Sequence, residues 1–168
     1  MQLNQVIEER TSVRRYLDKE IEDKQIDEII EAGIKAPSAK NLQPCKVFIV
    51  KNDKKLLEKV ASNTIYYRFV KNANCLLLVF LDNSLSYSIE KDNQSLGAFV
   101  ENMLLKITDL GLGGCWIGEI AKNSNQIKEL CEINNENLQL ACAIAIGHLE
   151  HVVKTSKKKF QEIVIGKK

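Results

Sequence analysis

Two short stretches hold the side chains best suited to chemistry. Arg10-Thr11-Ser12-Val13-Arg14-Arg15-Tyr16 offers three guanidinium groups and two aliphatic hydroxyls within a short length of chain. Arginine donates hydrogen bonds in a planar fork that matches phosphate oxygens. Pro37-Ser38-Ala39-Lys40-Asn41-Leu42-Gln43-Pro44 is a polar loop bounded by the only two prolines of the chain. Proline fixes its own φ and disfavours helix in the residue before it, so this loop has nearly pre-set geometry while presenting Ser38, Asn41 and Gln43. Together the two stretches suit an anionic, heteroaromatic ligand such as a nucleotide cofactor. By composition alone, Ser, Asn and Pro are equally what a capped helix end and a turn require.

Other candidates are weaker. Gly111-Leu112-Gly113-Gly114 lacks the GxGxxG spacing, and no Lys-Ser/Thr pair follows it, so it is not a P-loop. It could let a flat ring approach backbone amides, or simply end a helix and start a turn. Lys154, Lys157, Lys158 and Lys159 form a basic cluster near the C-terminus that is either a solvated surface or a second phosphate contact. His148 and His151 follow a strand without an acidic partner pattern and read as surface histidines. Neither GxSxG nor HExxH occurs. With no evident side-chain nucleophile or metal site, any enzymatic reaction here would be carried by a cofactor.

Several elements must position these groups. Leu3, Val6 and Ile7 form a short helical stripe ending near Arg10. Asp23 is a candidate cap for a second helix with Ile26, Ile29, Ile30 and Gly33 on one face, which must stop before Pro37. Residues 46–50 read as a strand, and Asp53 can cap a third helix bearing Leu56, Leu57, Val60 and Ala61. The apolar run at residues 75–81 predicts a strand buried on both faces. From about Asn93 to Asp109, the spacing of Leu96, Phe99, Val100, Met103, Leu104 and Ile107 predicts the strongest helix, with Gly97 allowing close packing and Gly111 ending it. Residues 113–118 form a strand or loop around the single Trp116. Ser124 can cap a short helix through Ile127, Leu130 and Cys131, and residues 138–146 make a central strand. Phe160 to Ile165 is a strand or an anchoring tail, whose apolar side chains fold back on their own core or pack on a partner subunit. Helices and strands mix without strict alternation, so the expected fold is α+β with helices packed on a sheet.

One domain spanning 1–168 accounts for the whole chain, with a tail over about 154–168. Hydrophobic residues make up 45% and charged residues 27%, the profile of an ordinary globular chain. The net charge of +2 is too small to indicate a nucleic-acid binder. Five cysteines without a CxxC pair argue against a disulfide framework or a zinc site. There is neither a secretory signal nor an apolar run long enough to span a membrane, and a reducing cytoplasm fits this pattern.

In combination these segments resemble the nitroreductase family. Residues 10–16 resemble its Arg-Arg-Ser-x-Arg-x-aromatic opening, and residues 37–44 its Pro-Ser-x-x-Asn-x-Gln-Pro motif. Gly97 through Asn102-Met103-Leu104-Leu105 is similar to its long central helix, and residues 111–118 to the Gly-Leu-Gly-x-Cys-Trp-Ile-Gly segment that follows. The resemblance spans nearly the whole chain. It implies a central mixed β-sheet flanked by helices, an intertwined homodimer with C-terminal tail exchange, and FMN at the dimer interface. Carried over by position, Arg10, Thr11, Ser12 and Arg14 would bind FMN from one protomer, Arg10 at the phosphate and Arg14 near the flavin N1/O2 edge. Pro37, Ser38, Ala39 and Asn41 would come from the other. Trp116 and Ile117 belong to the same cofactor-binding set. A backbone amide at Gly118 or Glu119 would face flavin N5, and Lys157 or Lys158 would reach the phosphate.

Four positions depart from the family pattern. Cys45 stands where Trp often follows Gln-Pro, Thr11 replaces the second arginine of the opening motif, Ser95 aligns with a common Asp, and Gly147-His148-Leu149 replaces Gly-Tyr-Pro. The implied activity is NAD(P)H-dependent reduction of a nitroaromatic, quinone or enone by a ping-pong mechanism. Flavin storage, and a dehalogenating or flavin-consuming activity on the same fold, are the alternatives.

Overall fold

The computed structural model describes residues 1–151 and 155–167. Lys154, named above with the basic cluster, lies outside them, as does residue 168 at the end of the tail. The described chain contains helices α1 (Leu3–Glu9), α2 (Asp23–Ile34), α3 (Lys54–Ala61), α4 (Tyr67–Val70), α5 (Ile89–Asp109), α6 (Ser124–Leu130) and α7 (Phe160–Ile163). The strands are β1 (Tyr16–Leu17), β2 (Cys45–Lys51), β3 (Cys75–Asp82), β4 (Leu112–Ile117) and β5 (Leu138–Leu149).

The strands build one sheet in which β5 pairs with β3, β4 and β1, and β2 pairs with β3. Every ladder is antiparallel; the parallel contribution is an isolated bridge between Ser12 and Gly114. Between β3 and β5 the register slips at Val79/Phe80. Val79 faces Cys142 but Phe80 faces Leu140, so Ala141 is an extra residue in β5.

The continuous apolar run of β3 is explained by helices on both faces of the sheet. Cys75, Leu77 and Val79 join one core with Ile26 and Ile29 of α2 and Val100, Met103 and Ile107 of α5. Leu76, Leu78 and Phe80 point the other way, into a second core with Leu57 and Val60 of α3 and Ile127 of α6. Alternation along a strand divides one apolar run between two layers.

Local signals set most element ends. Asp53 caps α3 by accepting the Leu56 N–H at 2.9 Å, as its position predicts. Gly111 ends α5 at φ +71°, the left-handed conformation that glycine tolerates best. α5 begins earlier than its apolar stripe suggests, because Ser88 Oγ accepts the Lys91 N–H at 3.3 Å.

Other expectations need correcting. Asp23 is the first residue inside α2; Glu22 precedes it as the cap residue, and Gln25 Oε1 accepts the Glu22 N–H. Ser124 likewise lies inside α6, and its hydroxyl accepts the Leu140 N–H at 2.8 Å, tying the helix to β5. Gly97 has open space where a Cβ would go, whereas Gly33 is the glycine at which α2 meets α5: a Cβ there would come within 2.9 Å of Met103 and Phe99. The terminal apolar stretch is the short helix α7 rather than a strand, and Phe160, Ile163 and Ile165 on it and beyond it are exposed. Of the α1 stripe, Val6 alone is buried.

Candidate active site

Two glycines of β4 bring the arginine-rich segment to the sheet. A Cβ at Gly113 would lie 2.7 Å from Val13 Cβ, and one at Gly114 would lie 3.1 Å from Leu104 of α5. Bare backbone at these positions lets the N-terminal segment and α5 both lie against β4. Val13 N–H then donates to Gly114 O at 3.0 Å. Tyr16 anchors the far end of the segment: its hydroxyl donates to Val13 O at 2.7 Å and lies 3.2 Å from Ala145 O. Burial, the leading cause, raises the Tyr16 pKa well above its ordinary value and keeps this donor protonated.

Along this segment Arg10 Nε lies 3.6 Å from Glu101 of α5. Thr11 Oγ1 is buried without a hydrogen-bond partner among the described residues. A buried hydroxyl in that state is an open contact for a polar ligand atom. Arg14 is exposed; it reaches back to Ser12 O at 3.4 Å and carries its guanidinium 5.9 Å from the centre of the Phe69 ring.

β4 delivers the next group. Trp116 is 40% exposed on a strand whose other members are buried, and Ile117 beside it is covered. Gly118 then leads into a 3-10 turn over Glu119–Asn123. The carboxylate of Glu119 is held in place: Thr64 Oγ1 donates to it at 2.8 Å, Ile65 N–H donates at 3.2 Å, and Lys122 pairs with its other oxygen. The Lys122 ammonium, followed by the Thr64 hydroxyl, lowers the Glu119 pKa. This side chain is therefore an anionic brace, and the backbone of Gly118 and Glu119 is the part of the turn suited to meeting a ligand.

The Pro37–Pro44 loop lies elsewhere. Lys40, Asn41 and Gln43 take positive φ values of 51°, 56° and 50°. Gln43 N–H donates to Ser38 Oγ at 3.0 Å, and Ala39 N–H to Ser95 Oγ at 3.2 Å, fixing the turn on α5. Ser95, which replaces the family's common Asp, therefore has a definite job as an acceptor for this loop. The Lys40 ammonium lies 4.1 Å from the centre of the Tyr87 ring. Pro37 and Ser38 line a cavity of about 240 Å³ with Cys45, Ser95 and Phe99, and none of Arg10, Thr11, Ser12 or Arg14 lines it. The two motif segments do not share this cavity within one chain.

Lys157 and Lys158 are exposed on the tail, and neither makes an ion pair among the described residues. Burial, and then the Asp92 carboxylate, push the Cys45 thiol up to about 11, which disfavours its thiolate. His148 Nε2 lies 3.1 Å from Glu20 O, while His151 lies 3.9 Å from Glu150. Among the described residues no three His, Cys, Asp or Glu side chains gather as a metal site. No described helix is long and apolar enough to cross a membrane.

Sequence reasoning missed Thr64 and Phe69, because their contacts join segments 55 residues apart and no spacing rule reaches that far; it also passed over Lys122, although its i,i+3 spacing from Glu119 is a signal the sequence carries.

Comparison with known proteins agrees with this arrangement. The Nitroreductase family pattern matches residues 7–148. A protein of Archaeoglobus fulgidus assigned as an NADH dehydrogenase/NAD(P)H nitroreductase is 33% identical over 142 residues, 83% of this chain and 80% of that protein. The NADPH-flavin oxidoreductase of Vibrio harveyi is 28% identical over 151 residues, covering 82% of this chain and 61% of that protein. A crystal structure from Desulfovibrio desulfuricans, assigned as a nitroreductase and solved in complex with FMN, superimposes with a TM-score of 0.94 at 34% identity, covering 100% of this chain and 98% of that one. With the arginine segment on β4, the Trp116 turn and the proline-bounded loop all in place, the chain belongs to the nitroreductase family.

Proposed function

We propose that this chain is an FMN-dependent oxidoreductase that uses NAD(P)H to reduce a small organic acceptor such as a nitroaromatic, quinone or enone. The observation that carries this reading is the Arg10–Arg14 segment held on β4, with the buried Thr11 hydroxyl lacking a partner among the described residues and the Arg14 guanidinium exposed. These groups fit a ligand with a phosphate tail, a polyhydroxyl chain and an electron-accepting ring. The likeness to a structure with FMN bound supports the same cofactor here.

When bound, FMN would supply the redox chemistry of a ping-pong exchange between the nucleotide and the acceptor. The protein's own part is to bind, orient and tune. Arg10 and one of Lys157 or Lys158 hold the phosphate. Thr11 and Ser12 offer hydroxyls. Arg14 would place a fixed cation at the N1/O2 edge, where negative charge develops on reduction. Trp116 would form a wall, whereas the Ile117 side chain is packed in the second core and turns away from any ligand; the backbone amide of Gly118 or Glu119 would face N5, with the Glu119 carboxylate held aside by Thr64 and Lys122.

Pro37, Ser38, Ala39 and Asn41 complete the site from a second copy of the chain. Two observations support a homodimer: the loop that carries these residues has its own cavity apart from Arg10–Ser12, and the tail exposes Phe160, Ile163 and Ile165. We read the tail as packing on the partner subunit, which removes this apolar surface from water.

The test is a visible absorption spectrum of the purified protein, supplied with FMN and titrated anaerobically with NADH or NADPH. A bound-flavin spectrum that bleaches is expected. Bound flavin that stays oxidised would favour storage, and failure to retain flavin would overturn the reading.

A further inference from the structure

A cleft of about 850 Å³ lies beside the proposed flavin site rather than in it. Among the residues assigned to the cofactor above, Arg14 alone lines it. Arg15 enters from the same segment, and Arg68, Phe69 and Lys71 enter from α4 and the turn after it. The volume is that of a site for a sizeable ligand.

The charges lining the cleft are unequally engaged. Asp53 is occupied in capping α3. Glu58 accepts the Tyr67 hydroxyl at 2.8 Å, Glu20 lies 3.5 Å from Lys51, and Asp18 lies 4.0 Å from Lys54. Glu150 faces His151. By contrast, neither Arg15 nor Arg68 has a carboxylate within 4.0 Å among the described residues, and both are exposed. The cleft therefore offers uncommitted guanidinium groups close to an aromatic ring, starting from the residue assigned to the flavin edge. A ligand extending from the flavin into it would be rewarded for carrying an anion.

We propose that this cleft receives the adenosine end of the pyridine nucleotide, that Arg15 and Arg68 bind its 2′-phosphate, and that NADPH is the preferred donor. The proposal rests on the reading of the chain as an NAD(P)H-dependent oxidoreductase. Guanidinium forks match a phosphate dianion, whereas the 2′-hydroxyl of NADH recruits neither charge.

The FMN-loaded full-length protein is titrated calorimetrically with adenosine 2′,5′-bisphosphate and with 5′-AMP, alongside Arg15→Ala and Arg68→Ala. The bisphosphate should bind about tenfold or more tightly than AMP, the usual scale for hydrogen bonds to charged groups. That gap should shrink in each variant while the flavin spectrum stays unchanged. In turnover, the variants should raise KM for NADPH and leave NADH kinetics alone. Equal affinity for the two probes, or a gap that persists in both variants, overturns the proposal. Because the titration reads binding, a flavin that neither nucleotide reduces would sink the proposed activity while the probes still decide the cleft.

Discussion

Arg14 is the side chain on which the proposed chemistry depends most directly. It is exposed, its guanidinium lies 5.9 Å from the centre of the Phe69 ring, and it has no carboxylate within 4.0 Å among the described residues. Arg14→Ala should weaken FMN retention about tenfold or more, or slow reduction by NAD(P)H to a similar degree, since it removes a charged donor. Unchanged flavin content together with unchanged stopped-flow reduction would refute its role. Glu119 makes a different kind of prediction. Its folded-state pKa is lowered, chiefly by Lys122, so its contribution to stability is fully present above the unfolded value of about 4.3 and is lost as pH falls through the folded value. Glu119→Gln should lower the melting temperature at neutral pH, and the difference from the parent should shrink on acidification below about pH 4. Parallel melting curves at every pH would contradict this. Some of this residue-scale detail was legible beforehand. The Arg10, Ser12 and Pro37–Asn41 types stand out in the sequence, but the Thr64–Glu119–Lys122 brace does not, because Thr64 meets Glu119 only after the sheet has formed.

The elements hold the site through close backbone approach. Gly113 is the clearest case, because a Cβ there would meet Val13 Cβ, an atom that cannot rotate away. Gly113→Ala should cost about 1–3 kcal/mol, typical of overpacking, and should lower flavin affinity by shifting Ser12 and Arg14 off β4. Urea unfolding and an FMN titration measure the two effects separately; a variant with parental values in both would show that β4 does not set this segment's position. Sequence patterns identified β3, α5 and the Asp53 cap well, since alternation, three-four spacing and capping act within a few residues of chain. They misplaced the close-packing glycine. Gly97 and Gly33 look alike in a helical pattern, and only the crossing of α2 over α5 makes Gly33 the crowded one. The caps assigned to Asp23 and Ser124 were each one residue too late, the usual scale of boundary error where two polar residues adjoin.

At the scale of the whole molecule, the tail and the Pro37 loop both point to assembly. In the proposed homodimer, removing residues 160–168 should yield a monomer in sedimentation and release flavin. A truncated protein that keeps its sedimentation coefficient and its flavin would separate the tail from both functions. The two-layer core has one further consequence. β3 and β5 lie between helical layers, with residues 75–79 and 142–146 fully buried, so their amide protons should exchange with solvent only through global opening. The arginine segment instead meets β4 through the Ser12–Gly114 bridge, whose hydrogen bond runs from Val13 N–H to Gly114 O, with the buried Val13 side chain and the Tyr16 hydroxyl as its further ties. With fewer ties than the central strands, it should open before the sheet does. Deuterium should therefore enter residues 10–15 of the cofactor-free protein far sooner than β3, and FMN should slow that uptake without altering the core. Cofactor loading then becomes the closing of a latch on an already folded body, and empty protein can persist as a competent reservoir awaiting flavin.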